Sequence, residues 1–327
     1  MTERAVLVQQ LVTLSMDYQL GKIGTFNANH VERWLNQFPE ECQNSLLKEL
    51  NFVLAQSYIQ KKHLQDFIEN KIIHPHTKPT INAQVFNHST LLDIQGAGNS
   101  QRDCIAIFRE LLQANAGIDI SINNANATNQ IYLDDVIYSG QRMRTDVSNW
   151  ILAAAPPECN LYVMSHSMHR LSLWYSTGFI EKKIAESKKK INLKWVYGNI
   201  IEDRLAFTDT SDVLRPVAGD NGQSVNNYIQ TMSKPPVYRR PGNVGGRAFF
   251  SSDAGRQLLE NEFLKAGARI KEICPKFKVQ HRPLGYMSLE SLGFGTMIVT
   301  YRNCPNNAPL ALWAGHPWYP LFPRSNN

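Results

Sequence analysis

The sequence predicts an α/β fold: a parallel-sheet core preceded by an N-terminal helical region and followed by a C-terminal loop-rich hood. Three observations carry this expectation. Between about residues 80 and 205, short apolar runs alternate with helix-like stretches, the βαβα pattern of a parallel sheet covered by helices. Residues 1–75 instead repeat apolar side chains every three or four positions, the period of amphipathic helices. Residues 283–324 are dense in Gly, Pro and aromatics, as in ordered loops. The expected division is 1–75 as the helical region and 76–327 as the α/β domain.

In the N-terminal region, Val31, Trp34, Leu35 and Phe38 mark one helix, and Leu46, Leu47, Leu50, Val53 and Leu54 mark another. Pro39 falls between them and suits the first turn of the second. His74-Pro-His-Thr-Lys-Pro79 is the candidate boundary. In the core, strands are expected at Leu91–Ile94, Ile131–Leu133, Leu161–Met164 and Leu193–Val196. Helices are expected over Asp103–Leu112, Arg142–Ala155 and Ser176–Lys189. Residues 206–250 then turn rich in Gly, Pro, Asn and Ser, which predicts an irregular segment. Its basic residues Arg239, Arg240 and Arg247 sit among turn formers, so a lid that brings one of them to a bound anion is one expectation. A partner-binding or solvated loop is the other. A helix follows, capped by Ser251, Ser252 or Asp253, with Leu258, Leu259, Phe263, Leu264 and Ile270 on its apolar face.

Composition narrows the class. An apolar fraction of 43% supplies a core, and 19% charged residues argue against extensive disorder. No run reaches the roughly 18 to 20 apolar residues of a membrane span, and Met1-Thr-Glu-Arg does not open a secretory leader. Five cysteines without a C-x-x-C pair suit a reducing cytoplasm and argue against a disulfide framework or a zinc site. The net charge of +6 and pI near 9.0 fit an anionic small-molecule ligand and permit nucleic-acid contact.

The chemistry concentrates in Ile131-Tyr-Leu-Asp-Asp-Val-Ile-Tyr-Ser-Gly-Gln-Arg142. A short apolar strand carries two adjacent carboxylates, Asp134 and Asp135, toward its carboxyl end, where open α/β sheets bind ligands. Tyr138, Ser139 and Gly140 then form a tight loop into a helix starting at Gln141 and Arg142. Gly140 lets backbone approach an anion, and a helix start offers unpaired N–H groups with a favourable dipole. The two acids can accept hydrogen bonds from neighbouring ribose hydroxyls, or hold a magnesium ion that does. Upstream, Gln95-Gly96-Ala97-Gly98-Asn99 forms a small-residue loop between a strand and a helix, with Arg102 beyond it. Its backbone N–H groups can cradle phosphate oxygens. His166 ends a third strand and can act as a base or orient a leaving group.

The run at 131–142 resembles the PRPP signature of type I phosphoribosyltransferases: apolar residues, two acids, apolar residues, then Ser-Gly and a helix. It departs from the usual pattern at Tyr138, often small or acidic there, and at Arg142, where a hydroxyl residue is common. Arg142 can grip phosphate bidentately, or it signals a ligand other than plain PRPP. The resemblance implies a phosphoribosyltransferase-like core. In it Asp134 and Asp135 are catalytic and bind Mg2+, Tyr138–Arg142 hold the 5′-phosphate, and Gln95–Asn99 with Arg102 hold pyrophosphate. His166 and Arg240 are further candidates. The helical stretch Val31–Pro39 and the ending Arg302-Asn-Cys-Pro-Asn-Asn…Trp-Tyr-Pro-Leu-Phe-Pro-Arg324 look like the phosphoribosyltransferase-like effectors of bacterial conflict operons, some of which accompany retron reverse transcriptases. That resemblance implies an antiviral toxin acting on PRPP or a nucleotide, partnered by a reverse transcriptase and its DNA product. A non-catalytic PRPP or nucleotide sensor stays open, as do a degenerate structural component and a homo-oligomer.

Overall fold

The computed structural model describes residues 2–24, 26–73, 83–96, 99–274, 276–286 and 291–324. The chain forms two compact units, one of Lys62–Ile201 and one of Met1–Lys61 together with Glu202–Asn327. This differs from the expected division after residue 75. The N-terminal helices do not bury their apolar faces among themselves; they share a core with the C-terminal third of the chain. The connector His74–Pro79 lies outside the described residues.

The discontinuous unit opens with α1 (Glu3–Leu14), α2 (Ala28–Leu35) and α3 (Glu40–Ser57), followed by the short strand β1 (Tyr58–Ile59). The side chains of Thr2 and Asn27 cap the first two helices by accepting from Ala5 N and His30 N. Pro39 precedes the first turn of α3.

In the continuous unit, α4 (Lys61–Phe67) runs into a π-helical turn at Ile68–Ile73. Five parallel strands follow: β2 (Ser89–Leu91), β3 (Ser121–Ile122), β4 (Asn129–Ile137), β5 (Glu158–His169) and β6 (Lys190–Ile201). Their order in the sheet is β3-β2-β4-β5-β6. The covering helices are α5 (Ser100–Ala116), α6 (Gln141–Ala153) and α7 (Arg170–Ser187). Every residue of β4 is buried, as a central strand covered on both faces must be. Tyr132, Met143, Val147, Leu161, Val163 and Ile180 form the centre of one face. The strand expected at Leu91–Ile94 ends early because the N–H groups of Ile94 and Gln95 both go to Gln101 Oε1, each at 2.9 Å, rather than to a neighbouring strand. Strand order reverses between β2 and β4, so the loops after these strands flank a topological switch point, the usual ligand crevice of an open α/β sheet.

The chain then returns to the discontinuous unit through a 3-10 segment at Leu205–Thr210, α8 (Gln223–Gln230), α9 (Asp253–Ile273) and α10 (Leu310–Trp313). Ser252 caps α9 by accepting from Gly255 N at 2.9 Å. Trp34, Leu35, Leu50, Leu259, Phe263 and Phe322 meet in one core, and Trp34 Nε1 donates to Ala311 O at 2.8 Å. β1 pairs in parallel with Val299–Thr300. Two expectations for 206–250 need correction. The segment contains a helix, α8, because Val225, Tyr228, Ile229 and Met232 recur at helical spacing and pack on the core. Arg239 is not poised to reach a ligand. It is wholly buried and donates to Glu260 Oε2 and Asp253 Oδ1, both at 2.8 Å. Among the described residues no helix is long and apolar enough to cross a membrane.

Candidate functional site

Asp134 and Asp135 lie near the carboxyl end of β4, both under a tenth exposed. Strict alternation along a strand sends adjacent side chains to opposite faces. Here the ladder is irregular. Pairing between β4 and β5 passes from Asp134–Ser165 to Val136–Ser167, and between β5 and β6 from Ser165–Tyr197 to Ser167–Asn199. Asp135, His166 and Gly198 occupy the skipped row. At this break the charge of Asp135 acts directly on the Asp134 carboxyl. Asp134 Oδ1 also accepts from Asp135 N at 3.0 Å, and Asp135 Oδ1 from Val136 N at 2.8 Å.

Burial, and next the charge of Asp135, push the Asp134 carboxyl far above the usual carboxylate range, to about 8; a hydroxyl bond with Ser100 and the Asp135 amide oppose the rise. At neutral pH the Asp134 carboxyl therefore keeps its proton in most molecules. Two hard oxygen donors held together in a poorly solvated site fit a magnesium ion, which commonly takes one or two carboxylates and completes its shell with substrate oxygens and water. Among the described residues no group of three or more His, Cys, Asp or Glu side chains converges, so such a shell needs ligand oxygens. His166 stands beside this pair, with Nδ1 2.9 Å from Ser167 Oγ and its ring edge against Phe67. Burial, and then His63, lower its pKa to about 4, with Asp135 opposing. It is a neutral imidazole at physiological pH.

The loop after β4 is built around Gly140, which has φ +67° and is the N-cap residue of α6. A Cβ there would lie 2.3 Å from Ser172 Oγ and 2.9 Å from Ser176 Oγ, so only glycine fits both the conformation and the space. Arg144, one helical turn on, fastens the loop. Its Nη1 donates to Ser139 O at 2.8 Å and to Ser176 Oγ at 3.0 Å, and its guanidinium lies over the Tyr175 ring. Gly140 brings no side-chain cap to α6; Gln141 N makes a long bond to Ser139 Oγ at 3.5 Å, and the start of a helix offers N–H groups that a ligand can take. Ser139, Gln141 and Arg142 are exposed and Tyr138 is half-buried against His169.

The loop after β2 is tied differently. Gln95 turns inward, accepts from Gln101 N at 3.2 Å and donates to Ser100 Oγ at 3.1 Å. It works as a cap for α5. Gly96 lies beside the Asp146 carboxylate of α6: a Cβ there would be 3.7 Å from Asp146 Oδ1. Arg102 is exposed and faces Asp93 at 3.5 Å, and Asn99 is the N-cap position of α5. Ala97 and Gly98 lie outside the described residues. Asp146 thus brings α6 up to the loop after β2.

The PRTase-CE family model matches residues 31–324. The chain belongs to the PRTase-CE family. The match is of a phosphoribosyltransferase-like type and spans both compact units of the PRTase-CE chain. Comparison with curated proteins gives no match. Of the residues singled out in the sequence, Asp134, Asp135, Ser139–Arg142, His166, Gln95, Gly96 and Asn99 all fall in the continuous unit, on the strand ends and loops just described. Arg240 belongs to the other unit, where its N, Nε and Nη2 all bind the Asp209 carboxylate within 2.7 Å. Ser100, Arg144 and Asp146 are not apparent from sequence motifs. The available signal is a basic and an acidic residue, Arg144 and Asp146, flanking apolar positions on the first turns of α6.

Proposed function

We propose that this PRTase-CE chain is an enzyme acting at the anomeric carbon of a 5′-phosphorylated ribose, in PRPP or a nucleotide. The observation that carries the reading is the meeting of two buried carboxyls with the glycine-led start of α6 at one switch point. The helix start, from Ser139 to Arg142, receives the 5′-phosphate through backbone N–H groups and the helix dipole. Asp134 and Asp135 accept hydrogen bonds from the two ribose hydroxyls and would hold Mg2+. That ion, when bound, supplies positive charge against substrate oxygens. Carboxylate charge below the ring favours the cationic ribose that forms as the leaving group departs toward the Gln95–Arg102 side. Rate enhancement then comes mainly from positioning and fixed charge.

Family membership and the resemblance of Val31–Pro39 and Arg302–Arg324 to conflict-operon effectors support a role as a toxic effector in cytoplasmic antiviral defence. A reverse transcriptase with its DNA product is the partner this role implies. Metabolite profiling of cells expressing the wild type or an Asp134→Asn/Asp135→Asn double variant tests the enzyme reading. The wild type is expected to change a PRPP or nucleotide pool and the double variant to leave it alone. Ribose hydroxyls lose charge-assisted hydrogen bonds worth about 1.5 to 3 kcal/mol each in that variant. A folded double variant as active as wild type would remove Asp134 and Asp135 from the mechanism.

A further inference from the structure

Helix α7 has one face that its own chain explains and one that it does not. Inward, Ser172 and Ser176 are buried and crowd Gly140, and Tyr175 lies under the Arg144 guanidinium that holds Ser139 O. Outward, Trp174 is 69% exposed, Tyr175 52% and Phe179 37%, and contiguous apolar surface of this kind marks interaction sites. Trp174 belongs to one ridge of the helix, Arg170-Trp174-Gly178-Lys182-Glu186, because every fourth residue aligns. Three choices in this ridge work against an isolated helix. Arg170 opens α7 and Glu186 is its last residue but one, each of the sign that the helix dipole disfavours at that end. Gly178 stands mid-helix, where glycine weakens a helix relative to alanine. Yet a Cβ there would meet nothing within 4 Å among the described residues, so packing within the chain does not call for it. The ridge is also symmetric about Gly178, with Trp174 and Lys182 four residues to either side and Arg170 and Glu186 eight.

We infer that the outer face of α7 is a homodimer interface, in which two copies of this chain pair α7 against α7, antiparallel, about a two-fold axis at Gly178. The occupant is a second copy because the ridge is complementary to itself. Run backwards, it sets Glu186 and Lys182 against Arg170 and Trp174. Each Arg170 then meets the partner's Glu186 and the carboxyl end of the partner's helix, where the dipole favours a cation. Each Trp174 receives the partner's Lys182 on its indole face. Gly178 lets the two backbones approach at the crossing. Within its own chain Glu186 meets Lys183 at 2.6 Å on the surface, a contact of little worth that a dimer can share. At these exposures the three aromatic side chains offer roughly 300–400 Å² per copy. That is close to half of the ~800 Å² each partner buries in a standard interface, and the polar ends of the ridge supply the rest. Glu181 and Glu186 on the same exposed face disfavour a nucleic acid there. The inference stands apart from the ribose-phosphate reading and needs only α7.

Sedimentation velocity of the full chain tests the pairing, with circular dichroism of every variant as the check on folding. The wild type is expected at twice the chain mass of 37.1 kDa. Trp174→Ala is expected to raise the dimer dissociation constant by about tenfold or more, as loss of a central tryptophan does. Arg170→Glu and Glu186→Arg, made singly, set like charges against each other across the axis and are expected to weaken the dimer. The double exchange restores opposite charges and is expected to recover wild-type association. Residues 170 and 186 are about 24 Å apart along one helix, so that rescue arises only between copies. Gly178→Cys meets its own copy at the axis and is expected to give a disulfide-linked dimer on mild oxidation, where the wild type stays unlinked. A wild type that sediments at 37.1 kDa overturns the inference. So does a dimer that Trp174→Ala and the charge exchanges leave unchanged, because it pairs through another surface.

Discussion

Asp134 is the residue whose chemistry is most changed by its surroundings. Burial beside Asp135 lifts its carboxyl to about 8, so between the ordinary carboxylate range and pH 8 the folded state keeps a proton the unfolded chain has released. The folded state binds more protons in that window, and stability falls as pH rises through it. Asp134→Asn removes the effect. Calorimetry without divalent ions is expected to show wild type and variant melting together near pH 4, and the variant melting a few degrees higher at pH 8. Each kcal/mol is worth about 2–4 °C at this size. Parallel melting curves across the range would mean that the carboxyl is not held protonated. Gly140 makes a second case. Gly140→Ala combines a left-handed conformation, costing about 1–2 kcal/mol, with overpacking against Ser172 and Ser176 that costs about 1–3 kcal/mol. Adding Ser172→Ala, whose hydroxyl has no partner among the described residues, is expected to recover part of the second loss in urea titrations and none of the first.

Elements differ in how far they are legible in the sequence. The β4–loop–α6 unit is legible because strand, paired acids, Ser-Gly and helix start are contiguous, and each follows from local rules. The loop after β2 is not. Its geometry depends on Gln101, which takes the N–H groups of Ile94 and Gln95, and on Asp146, which arrives from another helix to lie beside Gly96; two glycines alone signal neither. The segment 206–250 misleads in the same way. Turn formers predict irregular chain, but tertiary burial of Val225 recruits α8, and Arg239 with Arg256 is drawn to Glu260 on α9. Glu260 accepts from both guanidinium groups and from Arg215 N. Glu260→Gln leaves buried arginines short of their counter-charge, a loss of about 3–5 kcal/mol. Urea unfolding followed by tryptophan fluorescence is expected to show an earlier transition in the variant. An unchanged midpoint would place the stabilisation elsewhere, in the apolar packing of α9.

At the scale of the whole molecule, the helical N-terminal region reads correctly as helices and wrongly as a domain. Periodicity locates the apolar faces of α2 and α3, but it cannot say that their partners are Phe263, Ala311 and Phe322, far along the chain. A chain lacking residues 1–61 is therefore expected to expose the faces of α9 and α10 and to aggregate on size-exclusion chromatography, whereas the fragment 62–201 keeps its own core intact. A monodisperse, folded 62–327 chain would refute the shared core. The discontinuity also orders events during synthesis. The sheet-bearing unit is complete when residue 201 has left the ribosome, while α1, α2 and α3 must wait with their apolar faces uncovered until the end of the chain, through Phe322, emerges. Domains fold as units as they are made, so the sheet-bearing unit matures first. The nascent N-terminus meanwhile depends on chaperones or on rapid completion of translation, and a ribosome stalled before the final turn releases a product that is half native and half sticky.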